Sequence, residues 1–191
     1  MHKLKKIILT AIIQLISFYA TADEAWRLRY YSLISGEYEI TRDSISSSSE
    51  LNTSGHSLYF VFANGIGIGY STAVANGNIE DISYKFKNSS LDLSYTIGRS
   101  FSFTLGTGIL INGLGEIVLD GEDYSTKSVS GESIFLNFGI PFFGGEFLLG
   151  YRQNNSKFKN YQCQMSGKSV IVAEKVNLFS RQINVGIGFL F

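Results

Sequence analysis

The sequence QINVGIGFLF, residues 182–191, alternates between bulky apolar side chains and mostly small or polar ones. A β-strand points successive side chains to opposite faces. The segment therefore predicts a strand with one wholly apolar face. That face is formed by Ile183, Val185, Ile187, Phe189 and Phe191.

Seven further segments have the composition of strands and are separated by turn-rich sequence. Short connections at residues 64–65, 98–100 and 141–144 alternate with long polar ones at 41–56, 75–88, 113–131 and 155–177. The Asn64-Gly65 pair predicts a type I′ hairpin turn. The pattern predicts one antiparallel up-and-down arrangement with both ends of the chain on one side. Its eight strands are expected at residues 25–40, 57–63, 66–74, 89–97, 101–112, 132–140, 145–154 and 178–191.

Composition indicates what each face of this sheet contacts. One face carries bulky apolar residues, and the other is rich in glycine, serine and threonine. All seven lysines after residue 22 lie in the predicted connections, whereas a soluble barrel needs charge on its outer face. We therefore expect the bulky face to contact lipid and the sheet to close, because backbone groups in lipid must be paired. A secreted, lipocalin-like barrel is the alternative. It would enclose Phe60, Leu93, Phe103 and Phe138 at its centre.

The amino end predicts a cleaved secretory signal peptide. Lys3, Lys5 and Lys6 precede an apolar run at residues 7–20, and Ala20-Thr21-Ala22 forms a cleavage site. The expected organisation is a signal peptide at 1–22 and one barrel domain at 23–191. Cleavage removes three of the sixteen basic residues and leaves thirteen against sixteen acidic ones, a balance that does not favour nucleic acid as a partner.

These features together resemble the small OmpA/OmpX-like β-barrels of Gram-negative outer membranes, whose last strand alternates in this way and ends in phenylalanine. The resemblance covers nearly all of the chain after residue 22. It implies an all-β, eight-stranded antiparallel up-and-down transmembrane β-barrel in the cell outer membrane, in contact with lipid and lipopolysaccharide. It also implies that the barrel-insertion machinery reads Ile183, Val185, Ile187, Phe189 and Phe191. The implied role is non-enzymatic surface display for adhesion, envelope integrity or resistance to host factors, and we expect a monomer.

Five charged residues are predicted to point into the lumen: Arg27, Arg29, Asp92, Glu146 and Arg152. Eight strands enclose a space that side chains can just fill, and a charge in such a space needs a partner. We expect Glu146 to pair with Arg27 or Arg29 near the periplasmic end, and Asp92 to pair with Arg152 further out. This network is either a structural plug or a gate that passes protons or small ions when the pairs exchange.

The sequence predicts no catalytic residue, cofactor or metal site. His56 is the one histidine after residue 22, and it precedes Ser57 directly. The lipid-A deacylase type places His and Ser two apart on one face of a strand, so His56 is interpreted as a loop-end residue. A narrow channel and a lipid-A-modifying enzyme stay open as alternatives. Cys163 is the single cysteine, which predicts an unpaired loop residue.

The long connections are the expected place for a surface ligand, because binding residues concentrate on loops held by a scaffold. Connection 113–131 is acidic, and connection 155–177 is basic through Lys157, Lys159, Lys168 and Lys175. Such lysines could contact lipopolysaccharide phosphates. Segments 116–119 and 169–173 are predicted to extend strands beyond the membrane, where an edge could bind another protein by β-augmentation.

Overall fold

The computed structural model describes residues 25–42, 45–49, 51–79, 82–98, 101–119, 121–165 and 168–191. The predicted signal peptide lies outside these residues. Within them no helix is long and apolar enough to cross a membrane. The described residues form ten strands: β1 (Arg27–Arg42), β2 (Ile45–Ser49), β3 (Asn52–Val61), β4 (Ile66–Ile79), β5 (Ile82–Ile97), β6 (Ser102–Leu119), β7 (Glu122–Thr126), β8 (Ser128–Phe142), β9 (Gly145–Met165) and β10 (Lys168–Leu190).

Eight long strands close into a barrel. β1, β3, β4, β5, β6, β8, β9 and β10 each pair antiparallel with the next, and β10 pairs back with β1. The closure is completed by Trp26 and Phe191, whose backbones exchange hydrogen bonds of 2.9 and 3.1 Å. The predicted eight-stranded up-and-down barrel is confirmed. The short strands β2 and β7 were not predicted. β2 extends the sheet beside β1, and β7 lies between β6 and β9.

The short turns lie at the same end as Trp26 and Phe191, which we call the terminal end, and the opposite end is called the far end. The predicted type I′ turn at Asn64-Gly65 is wrong. Gly65 has a φ of 84°, but Asn64 is not among the described non-glycine residues with positive φ, and type I′ requires positive φ at both central residues. Gly65 N–H donates to Phe62 O at 2.8 Å. The connection is therefore a four-residue turn that ends on a left-handed glycine.

The bulky face points outward in the half of the barrel nearest the terminal end. Leu93 is 58 % exposed, Phe103 44 % and Phe138 42 %. Phe60 is half-buried because it packs at the outer rim against Trp26 and Phe62, with ring centroids 5.2 and 5.1 Å away. The outward orientation is confirmed, and the lipocalin-like alternative is wrong, since it needs these side chains enclosed.

The strands continue far beyond the predicted membrane segments, so the interpretation of 75–88, 113–131 and 155–177 as loops is wrong. β9 has 21 residues and β10 has 23. At about 3.3 Å per residue and a tilt of about 40°, β9 spans about 50 Å of height. An apolar band is about 25 Å tall, so roughly half of the barrel projects beyond it. The predicted strand extensions at 116–119 and 169–173 are confirmed in β6 and β10.

The two faces of the sheet exchange polarity along this height. Outward residues of β9 are apolar up to Tyr151 and polar beyond it, where they include Lys157 and Lys159. In the far half the apolar side chains turn inward and form a buried cluster, which we call the far cluster. Its members are Tyr38, Ile40, Leu51, Ala75, Tyr84, Phe86, Ile117, Phe158, Tyr161, Val176 and Leu178.

Candidate functional site: the layered lumen

Strand β9 passes every layer of the barrel interior. Its inward side chains include, from the terminal end, Glu146, Leu148, Arg152 and Phe158, all of them buried. These four residues lie in an ionic layer, an aromatic layer, a second ionic layer and the far cluster, respectively. The lumen is therefore filled by alternating polar and apolar layers along its height.

The first ionic layer contains the three charged residues that were expected to meet near the terminal end. Glu146 accepts hydrogen bonds from Arg27 Nη1 at 3.2 Å, and from Arg29 Nε at 2.5 Å and Nη2 at 2.9 Å. The structure thus places Glu146 between both arginines, whereas the sequence left open which one it would contact. All three side chains are at most 3 % exposed.

Arg29 is fully satisfied by its surroundings. Its remaining N–H groups donate to the hydroxyls of Thr96, Thr104 and Ser102 at 3.2, 2.6 and 2.8 Å. A guanidinium has five N–H donors, and all five of Arg29's have an acceptor here. Such complete pairing offsets the high cost of removing a charge from water.

A small aromatic layer separates the two ionic layers. It consists of Tyr31, Tyr59, Phe135 and Leu148, and glycines on neighbouring strands make room for its rings. A Cβ atom on Gly106 would overlap the Phe135 ring. At this level of the lumen the Phe135 ring therefore packs directly against the backbone of β6.

The second ionic layer pairs Asp92 with Arg152, as expected from the sequence. Asp92 Oδ2, the oxygen that contacts Arg152, also accepts hydrogen bonds from the hydroxyls of Tyr59 at 2.7 Å and Ser71 at 2.5 Å. Asp92 Oδ1 accepts one from the Ser90 hydroxyl at 3.0 Å. The Arg152 guanidinium also lies 4.7 Å from the centre of the Phe135 ring. Above this layer lies a cavity of about 30 Å³, and the far cluster closes the barrel beyond it.

The hydroxyl partners of both ionic layers were not predicted as site residues. Thr96, Ser102 and Thr104 surround Arg29, and Ser71 and Ser90 surround Asp92. Sequence reasoning placed such residues on the inward face but did not assign them to a charge. The available signal for these partners was their position along the strand. Ser102 and Thr104 lie at the start of β6, next to the turn that connects β5 to β6.

His56 and Cys163 do not lie in loops, contrary to the expectation for both. His56 is in β3, paired with Ser32 and Thr72, and its Nδ1 forms a 2.5 Å hydrogen bond with the outward Tyr30 hydroxyl. Cys163 is a free, buried thiol in β9. Burial raises its pKa, and Glu122 and Asp123 raise it further, which disfavours the reactive thiolate. No group of His, Cys, Asp and Glu in the described part of the chain could hold a metal ion.

The bulky residues of the last strand form part of the outward apolar face. Each is at least 40 % exposed: Ile183, Val185, Ile187, Phe189 and Phe191. Their recognition by the insertion machinery stays a prediction.

Comparison with known proteins identifies solved structures that share this fold. No protein-family model matches the chain, and no curated protein matches it in sequence. Among solved structures, Neisserial surface protein A (NspA) aligns with a TM-score of 0.60 and 11 % identity, over 87 % of this chain and 97 % of that one. The outer membrane protease OmpT from Escherichia coli gives 0.51 and 9 %, over 90 % and 98 %. Ail of Yersinia pestis, in complex with the heparin analogue sucrose octasulfate, gives 0.50 and 15 %, over 87 % and 99 %.

Identities this low establish the fold and no shared activity. The closed antiparallel barrel described above agrees with the fold of these structures. The chain has the fold of the small outer-membrane β-barrel proteins.

Proposed function

We propose that the protein is a closed outer-membrane barrel whose far half is a rigid extracellular structure that presents a polar surface to ligands or partners. The exchange of polarity along single strands carries this proposal. A wall with apolar side chains on its outside is suited to lipid. A wall with polar side chains outside and apolar ones buried inside is suited to water. The same eight long strands therefore provide both a membrane anchor and the wall of a folded surface module. A signal peptide at 1–22 and a monomeric state belong to this proposal.

A narrow channel is less favoured, because two ionic layers, an aromatic layer and the far cluster lie across the lumen. The gate hypothesis requires that Glu146 exchange partners, and its contacts with Arg27, Arg29 and Ser102 oppose such exchange. We expect no stepwise conductance from the wild-type protein or from Glu146→Gln in planar bilayers. Defined conductance steps that change in Glu146→Gln would support the gate and contradict the plug.

An enzymatic role is also less favoured. His56 is exposed and its imidazole contacts the outward Tyr30, while Ser57 shares the inward face of β3 with the buried Tyr59. The histidine and serine that a lipid-A deacylase would combine therefore lie on opposite faces of the strand. OmpT is a protease by name, and its 9 % identity transfers no residue to this chain. Mass spectrometry of lipid A from cells with and without the protein should give identical spectra. A new acylation or deacylation product would favour the enzyme.

Membrane topology tests the proposal directly. An epitope inserted after Gly121, where no atom lies within 4 Å of an added Cβ, should be labelled on intact cells. A matched insertion at Gly144, which is equally open, should be labelled only after permeabilisation. Both insertions should leave the protein in the outer-membrane fraction with heat-modifiable mobility on gels. Labelling in the opposite order, or absence from that fraction, would contradict the proposal.

A further inference from the structure

Three lysines form one exposed patch on the outer wall of the far half. We call Lys157, Lys159 and Lys175 the lysine patch. Their strand neighbours Ser156, Phe158 and Val176 are fully buried, so the lysines themselves point outward. Lys159 lies directly opposite Lys175 in the β9–β10 register, and Lys157 is two residues from Lys159 on the same face.

This arrangement is unfavourable without a counter-charge. Like charges directly opposite each other destabilise a sheet. The other residues directly opposite the lysines, Ser128, Ser130 and Asn177, carry no charge, and the exposed Glu132 lies diagonal to Lys157 across β8 and β9. No ion pair joins the lysine patch to an acidic side chain that the structure describes.

Among the other described cations on the outer wall, Lys85 and Arg181 have acidic partners, and Lys87 lies between Val74 and Leu114 instead of opposite another cation. Lys85 pairs with Glu116 at 2.8 Å, and Arg181 pairs with Glu37 at 3.7 Å. The lysine patch is therefore a local excess of positive charge that suits an anion from outside the chain.

The position of the patch indicates where that anion comes from. Tyr151 is the last apolar outward residue of β9, and Lys157 follows it by six residues. This places the lysine about 15 Å above the apolar band, at about 3.3 Å per residue and a tilt of about 40°. The side chains point sideways from the wall, not from its tip. The space beside the wall at this height belongs to the head groups and sugars of neighbouring lipids.

We propose that the lysine patch binds the phosphate and carboxylate groups of lipopolysaccharide packed against β9 and β10. The inference rests on the proposed function, which puts the far half outside the cell, and it names a partner for that surface. Charge-assisted contacts to phosphate are among the stronger hydrogen bonds. Bound lipopolysaccharide would also relieve the repulsion between Lys159 and Lys175.

The test compares two double variants refolded in lipopolysaccharide-free phosphatidylcholine vesicles. Lys159→Gln with Lys175→Gln removes two charges from the patch. Lys85→Gln with Lys87→Gln removes two exposed lysines from the outer wall of β5 and serves as the matched control. Heat-modifiable mobility first establishes that each protein has folded and inserted. Binding of purified lipopolysaccharide is then titrated at low and at 0.5 M salt.

The patch variant should bind lipopolysaccharide about tenfold more weakly than wild type or worse, and the control should stay within about twofold. Wild-type binding should weaken at high salt. Without lipopolysaccharide, the patch variant should be at least as heat-stable as wild type, because the repulsion is gone. Equal affinity for all three proteins, or equal loss in both variants, would overturn the inference.

Two other outcomes separate the proposals. Failure of the wild-type protein to insert into vesicles would remove the proposed function itself. Insertion without lipopolysaccharide binding would remove only this inference. If a soluble sulfated polysaccharide binds through the patch and lipopolysaccharide does not compete, the ligand is an extracellular polyanion and the assignment to lipid is overturned.

Discussion

Replacing Asp92 by asparagine tests whether the second ionic layer stabilises the barrel. The Asp92 side chain is 0 % exposed and its partner Arg152 is 6 % exposed. Asparagine keeps the shape of Asp92 but leaves the Arg152 charge buried without a counter-charge. Removing one partner of a buried pair costs about 3–5 kcal/mol, which is a factor of about 10² to 10³ or more in the unfolding equilibrium. We therefore expect Asp92→Asn to be one of the most destabilising isosteric changes in the lumen.

The measurement is denaturant unfolding in detergent micelles, followed by the fluorescence of Trp26. Trp26 is the only tryptophan of the chain, and it lies at the terminal end, remote from the change. Arg152→Met should be similarly destabilising, because it leaves the Asp92 carboxylate unpaired. The double variant should lose less than the sum of the two, with a coupling of about 0.5–3 kcal/mol. Additive effects, or an Asp92→Asn midpoint equal to wild type, would refute a stabilising role for the pair.

Three further predictions concern the far cluster and the barrel closure. Phe158 is 0 % exposed, so Phe158→Ala should cost about 3–5 kcal/mol and expose the far half to protease while the anchor stays heat-modifiable; unchanged proteolysis would contradict this. Burial raises the pKa of Tyr38 from 10.0 to about 12, so its contribution to stability is complete below pH 10 and is lost as pH rises towards 12. Tyr38→Phe should therefore show a smaller loss of stability than wild type over that range in denaturant titrations, and identical profiles would be evidence against it. Phe191→Ser should lower the assembled fraction in cells but not refolding in detergent, because the closing hydrogen bonds with Trp26 use only backbone atoms; equal assembly of both proteins in cells would exclude a signal role for Phe191.

The half of the barrel nearest the terminal end was predictable, because one rule governs it. Lipid requires apolar outward positions, and an eight-stranded lumen requires small or paired inward ones. Residues such as Phe103 and Thr104 obey this rule at consecutive positions, so each strand could be recognised and oriented. The rule also identified the charges that must find partners. It could not show that Glu146 contacts both arginines, since that depends on how the strands are staggered around the barrel.

The far half escaped prediction because its outward face is built from residues typical of loops. Ser, Asn, Lys and Glu suit a strand face in water as well as they suit a connection. The remaining signal was an alternation of the opposite phase. On β10 the apolar residues occupy odd positions from Ile183 onward but even positions at Val176 and Leu178. A search for one continuous alternation ends the strand at this break, as the prediction did.

In strands whose apolar residues keep the same alternation throughout, a β-bulge exchanges the inward and outward faces instead. The β1–β10 register shifts between Leu33 and Ser35, with Ile34 as the extra residue. On the terminal-end side of the shift, odd positions such as Tyr31 point inward. On the far-end side, even positions such as Tyr38 point inward. Without the bulge, Tyr38 and Ile40 would face water and Glu37 would enter the far cluster. The level at which polarity changes is therefore set by two devices, a phase break in strands such as β10 and a bulge in strands such as β1. Both place charged outward side chains immediately above the apolar band, which is the arrangement required of a wall that passes from lipid into water.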